Sequence, residues 1–142
     1  MKTIFILTFF FMTLSVKAQQ NRNFLENKVF TTHVANICEE TVKPDPCAGQ
    51  QVYLVLAFKD KKVTISEKSV TTCGEEFIND LGNYTWEVLK SNELKINTDS
   101  AKIEYTFMQD LKLAVKNGHL IGKKKDWNDS IIEYIFTDNL EK

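Results

Sequence analysis

Gln51-Val52-Tyr53-Leu54-Val55-Leu56-Ala57-Phe58, then Lys59-Asp60-Lys61-Lys62, then Val63-Thr64-Ile65-Ser66-Glu67-Lys68-Ser69-Val70: these twenty residues decide the fold. The first run is apolar, aromatic or β-branched on both of its faces, which predicts a well-covered strand. The four polar residues are a turn, and Val63–Val70 returns from it as a second strand. With the tip at Asp60-Lys61, residues whose numbers sum to about 121 face each other across the hairpin.

The same grammar extends in both directions. Upstream, Lys28–Cys38 is rich in Val, Thr, Phe and Ile. Downstream, Tyr84, Trp86 and Val88 alternate with Thr85 and Glu87, and Ser91-Asn92 turns into Leu94 and Ile96. Ile103, Tyr105 and Phe107 alternate with Glu104 and Thr106, and Leu111, Leu113 and Val115 alternate with Lys112 and Ala114. Asn117-Gly118 is the strongest hairpin signal, because both turn positions need positive φ. Ile131–Thr137 is the last strand. Only Glu75–Leu81 reads as briefly helical, and Lys123-Lys124-Lys125 reads as a solvated loop between strands. About eight strands joined by hairpin-length turns predict an all-β domain, a single antiparallel meander closing into a small up-and-down barrel. Closure would also remove the exposed edges through which sheets associate. A β-sandwich is the alternative.

The N-terminus carries a different signal. Met1-Lys2-Thr3 is a short basic start, and Ile4 to Val16 is an almost entirely apolar run of 13 residues. Val16-Lys17-Ala18 supplies short residues at the two positions a signal peptidase reads. Residues 1–18 are therefore expected to be a secretory signal peptide, with a mature start at Gln19. A helix spanning a bilayer takes roughly 20 residues, so no stable membrane anchor is expected. Residues 19–27 have few apolar side chains and are expected to be loosely ordered, ahead of a barrel domain over residues 28–140. The whole chain has 142 residues, 18 Lys+Arg, 19 Asp+Glu and a net charge of −1. Loss of Lys2 and Lys17 leaves 16 basic against 19 acidic residues, a charge of −3. That balance does not favour nucleic acid as a partner.

Three cysteines in an exported chain are expected to include one disulfide. Cys47 and Cys73 sum to 120 and so lie opposite each other at the open end of the hairpin, which makes them the leading pair. Cys38–Cys47 is the rival, closing a short loop that contains Pro44 and Pro46. Cys38 ends the preceding strand and should reach the same end of the molecule. A metal site of three thiolates and His33 has neither the spacing of a zinc site nor His33 on the right face of its strand, so no metal is expected.

The series Val52–Phe58, polar turn, Val63–Ile65, Gly82-Asn83-Tyr84-Thr85-Trp86 and Leu94-Lys95-Ile96 resembles the bacterial exported lipocalin-like domains, which are small calycin-type β-barrels. The likeness covers roughly Gln51 to Thr137. It implies a barrel that holds an apolar or small organic ligand. The sequence has no Trp in a Gly-x-Trp context on its first strand, where the larger lipocalins place one.

Catalytic signatures are not seen. There is no Gly-x-Ser-x-Gly elbow or Gly-rich phosphate loop, and the two histidines, His33 and His119, have no evident nucleophile beside them. The adjacent pairs Glu39-Glu40 and Glu75-Glu76 would point to opposite faces of a strand. An enzyme is not expected, nor is a cofactor. Tyr84, Trp86, Tyr105, Phe107, Tyr134 and Phe136 fall on matching alternate positions of three strands, so they are the candidates to line the interior, either as plain core or as a ligand cavity. The function expected is thus non-catalytic binding of a small apolar ligand. The alternative is a protein-interaction module of the cell envelope, an inhibitor or immunity-type factor working through loops around Glu39–Gln50 and Glu75–Asn83. The tripeptides Asn83-Tyr84-Thr85 and Asn128-Asp129-Ser130 match the N-glycosylation sequon and are expected to be bare in a bacterial chain.

Overall fold

The computed structural model describes residues 20–38, 40, 42–43, 45–97 and 105–138. Eight strands run in chain order: β1 (Val29–Cys38), β2 (Gly49–Lys59), β3 (Lys62–Thr71), β4 (Glu76–Val88), β5 (Glu93–Asn97), β6 (Lys112–Lys116), β7 (His119–Lys125) and β8 (Ile131–Asp138). Each pairs antiparallel with the next, and β8 returns to β1, so the meander closes into a barrel. The signal-peptide reading of residues 1–18 lies outside the described residues.

The central hairpin follows the register expected of it. Gln50 faces Thr71, Leu54 faces Glu67 and Lys59 faces Lys62. On β2 the even positions Val52, Leu54, Leu56 and Phe58 are buried. The odd positions Tyr53, Val55 and Ala57 are only half-buried, so the strand is not covered on both faces as its apolarity suggested. They lie on the outer wall, where Tyr53 packs edge-on against His33 with ring centroids 5.4 Å apart.

Turns are set by residues that tolerate the left-handed region. Every described non-glycine residue with positive φ is Asn or Asp: Asn27, Asp60, Asn92, Asp110, Asn117 and Asp129. Their short polar side chains lower the steric cost of that conformation. Asn117 (φ 53°) and Gly118 (φ 74°) form the expected hairpin tip.

Three segments depart from the sequence reading. Glu75–Leu81 is not a helical turn: β4 begins at Glu76 and runs beside β3 as far back as the Val70–Glu76 pair. Pairing to a long neighbour overrides a short local preference. Lys123-Lys124-Lys125 is not a loop but the end of β7, paired with Glu133, Ile132 and Ile131 of β8. Tyr105 and Phe107 are not on a strand. Thr106–Met108 is a 3₁₀ turn, while Ile103 and Glu104 lie outside the described residues.

The N-terminal stretch expected to be loose contains a helical segment at residues 20–25. Its Leu25 is fully buried in the core cluster, and Phe24 stacks 5.5 Å from Phe30. Two adjacent apolar residues are enough to pin a short segment when the barrel end offers an apolar surface. An Asn21 to Asn92 hydrogen bond of 2.8 Å ties the same segment to the β4–β5 turn. The barrel seam is short: among the described residues β1 and β8 pair only at Phe30–Asp138 and Thr31–Thr137. It is extended by the Thr32 hydroxyl donating to the Ile135 carbonyl at 3.0 Å and by a Lys28–Asp138 ion pair of 2.8 Å.

Candidate functional site

Because the strands alternate direction, alternate connections share an end of the barrel. One end carries the helical segment and the tips at Asp60, Asn92 and Asn117. The other carries the β1–β2, β3–β4 and β7–β8 connections and the 3₁₀ turn. Cys47 and Cys73 are joined there by a disulfide, the leading pair of the sequence reading. Cys38 arrives at the same end, opposite Gly49, as an exposed free thiol.

The six aromatic candidates divide between these ends. Trp86 and Phe136 belong to the closed core, 7% and 2% exposed. Trp86 lies edge-on to Phe58, with centroids 5.1 Å apart, and the Arg22 guanidinium sits 5.9 Å from its ring centre. Its indole Nε1 is buried and has no hydrogen-bond partner among the described residues. Tyr84 is half-buried one step up β4, its hydroxyl donating to the Leu81 carbonyl at 3.3 Å. Its ring folds over Gly82, where the chain takes φ +140° and shifts register against β3.

Tyr105, Phe107 and Tyr134 form a separate half-buried group at the disulfide end. Phe107 is 5.0 Å from Tyr134 and nearly perpendicular to it, and 6.2 Å from Tyr105. The Tyr105 phenol faces the Glu67 carboxylate. Burial chiefly, with the polar influence and negative charge of Glu67, pushes the Tyr105 phenol well above its ordinary range. Tyr134 is raised as well, by burial first and then by the charge of Asp126.

Two residues that hold this group carried a weak signal in the sequence. Glu67 pairs with Leu54, so the same sum of residue numbers that located the disulfide puts it among the inward positions. Lys124 was hidden in a run of like charges. In a strand the middle of three consecutive residues faces opposite to its neighbours. Lys123 and Lys125 point out to Glu133 and Asp129, while Lys124 turns in. Its ammonium donates to the carbonyls of Thr106, Phe107 and Gln109 and lies 5.5 Å from the Phe107 ring centre. One lysine therefore fixes the turn that delivers Tyr105 and Phe107.

The inward register continues past this group to the rim. Gln50 faces Ile37 on β1, and Ser69 faces Phe77 on β4. Ile37 and Phe77 are 46% and 56% exposed, large apolar side chains on positions that continue the interior face. The two histidines are exposed on the outside, His33 bonded to Asn36 at 3.0 Å. Among the described residues no three His, Cys, Asp or Glu side chains are grouped to hold a metal ion. No helix among them is long and apolar enough to cross a membrane. No protein-family model, curated protein or solved structure matches this chain.

Proposed function

We propose that this chain is an exported, lipocalin-like binding protein that takes a small, mainly apolar ligand into the disulfide end of its barrel. The observation that carries the reading is the half-buried group Tyr105, Phe107 and Tyr134, set on the interior face between a closed apolar core and the exposed rim residues Ile37 and Phe77. Pockets of this kind combine apolar walls with a few polar groups that orient the ligand. Here Glu67 and the two phenols supply them. The disulfide and the apolar start of the chain support export.

The test is native mass spectrometry of the protein purified from the cells that export it. An added mass that disappears on denaturation is expected, and Phe107→Ala should lose it. No added mass, together with no rise in melting temperature across a panel of apolar compounds, would overturn the reading. A second reading rests on a different observation. Phe77 and Ile78 stand side by side on β4 and are 56% and 67% exposed, and along residues 76–81 this strand pairs only with β3 among the described residues. An exposed strand edge with apolar side chains is a template for a partner's strand. An envelope protein bound there would be captured by the wild type and not by Phe77→Ser/Ile78→Ser.

A further inference from the structure

The outer wall carries a second feature, unrelated to the barrel interior. A groove of about 260 Å³ lies across β5, β6 and β7. Its floor is Ala114 and Ile121, and its rim is Lys112, Lys116, Lys123 and Glu93. β6 turns Leu113 and Val115 into the core, so Lys112, Ala114 and Lys116 face outward together. Ala114 is the small residue between two long ones, and it is paired on both sides, with Glu93 of β5 and Ile121 of β7.

The charges here are arranged against themselves. Lys112 is directly opposite Lys123. The β5–β6 ladder stops at the Leu94–Leu113 pair, and one further step would set Lys95 opposite Lys112 on its other side. Like charges facing across strands are destabilising. Lys95 and Lys123 each lie near a glutamate on the strand beyond, Glu87 at 3.9 Å and Glu133 at 3.2 Å. Lys112 is left in the middle of a row that reads Glu87, Lys95, Lys112, Lys123, Glu133. Neither it nor Lys116 has an ion-pair partner among the described residues. The net charge of the chain is −1, so this excess is local.

We propose that the groove binds a small amphiphilic anion, a single-chain carboxylate. The carboxylate sits beside Lys112, between it and Lys123 or Lys116, and supplies the negative charge that the row lacks. The apolar chain crosses Ala114 and Ile121 toward Ile135, which pairs with Ile121 on β8 and is 58% exposed. Charge complementarity selects the anion, and the apolar pair Ala114 and Ile121, between the Lys112–Lys123 pair and Lys116, selects a chain over a bare ion.

Sodium decanoate below its micelle concentration is the probe, with methyl NMR of Ala114 and Ile121 as the readout. Saturable shifts at these two methyl groups are expected, with decanol giving none. Lys112→Gln should weaken decanoate about tenfold, the loss of one charge-assisted hydrogen bond, while raising the melting temperature of the free protein by relieving the repulsion. Equal affinity in Lys112→Gln overturns the proposal. So do shifts confined to interior residues such as Leu120 and Phe136, which would place the carboxylate in the barrel instead. A response to phosphatidylglycerol vesicles with none to decanoate overturns it in favour of a membrane surface.

Discussion

Gly82 shows what a single position contributes. Its φ of +140° is open only to glycine at ordinary cost, and a Cβ there would stand 2.7 Å from the Tyr84 hydroxyl oxygen. Gly82→Ala should cost about 1–3 kcal/mol by urea denaturation, and Tyr84→Ala in the same chain should return part of that loss by clearing the contact. Tyr105 makes a prediction about pH. Its folded pKa lies above the ordinary 10.0, so the unfolded chain gives up this proton first. The stabilisation is complete below the unfolded pKa and is lost as pH rises through the folded one. Stability should therefore fall from about pH 10 upward, more steeply in the wild type than in Tyr105→Phe. Glu67→Gln should also flatten the fall, because it removes the negative charge beside the phenol. Melting curves across that range, equal in slope for wild type and Tyr105→Phe, would refute the assignment.

Among the elements, β7 and the 3₁₀ turn depend on each other through Lys124. Lys124→Ala leaves three carbonyls without their cation and should lower stability by about 1–2 kcal/mol, with faster hydrogen exchange at Met108 and Gln109, whose amides close the turn. Exchange unchanged there would mean the turn holds itself. The same element shows where the sequence was legible. The β2–β3 register was readable because a polar tip between two apolar runs fixes every pair, and with it the Cys47–Cys73 bridge. The Asn117-Gly118 hairpin was readable because its backbone demands those residues. Tyr105 and Phe107 alternate as a strand would, yet they are held in a turn by a lysine 17 residues or more away in sequence, a contact that periodicity does not encode. Glu75–Leu81 failed for the same reason, since its conformation is set by β3. Of the candidate site, the aromatic residues were visible and their division between two ends was not, because that division depends on how the barrel closes.

At the scale of the whole molecule the two ends are secured by different physics. The disulfide end is tied covalently across a separation of 26 residues. That bond acts mainly by restricting the unfolded chain, so Cys47→Ser/Cys73→Ser should cost about 2–4 kcal/mol, and Cys38→Ser, which leaves the bond intact, should cost little. The opposite end has no covalent tie among the described residues and is secured chiefly by burial: Leu25 has no exposed surface and packs with Phe30 and the barrel core, although its segment contributes no strand. Leu25→Ala should cost about 2–5 kcal/mol, a large share of a small domain's stability of about 5–15 kcal/mol. The kinetics should separate the two effects. The helical segment can find its surface only after the strands around it have closed, so its contacts are expected to be absent from the folding transition state. Leu25→Ala should then speed unfolding and leave the folding rate almost unchanged, whereas loss of the disulfide, which lengthens the loop that must close, should slow folding. A chevron in which Leu25→Ala slows folding by the full equilibrium loss would show instead that the N-terminal segment is part of the nucleus on which the barrel closes.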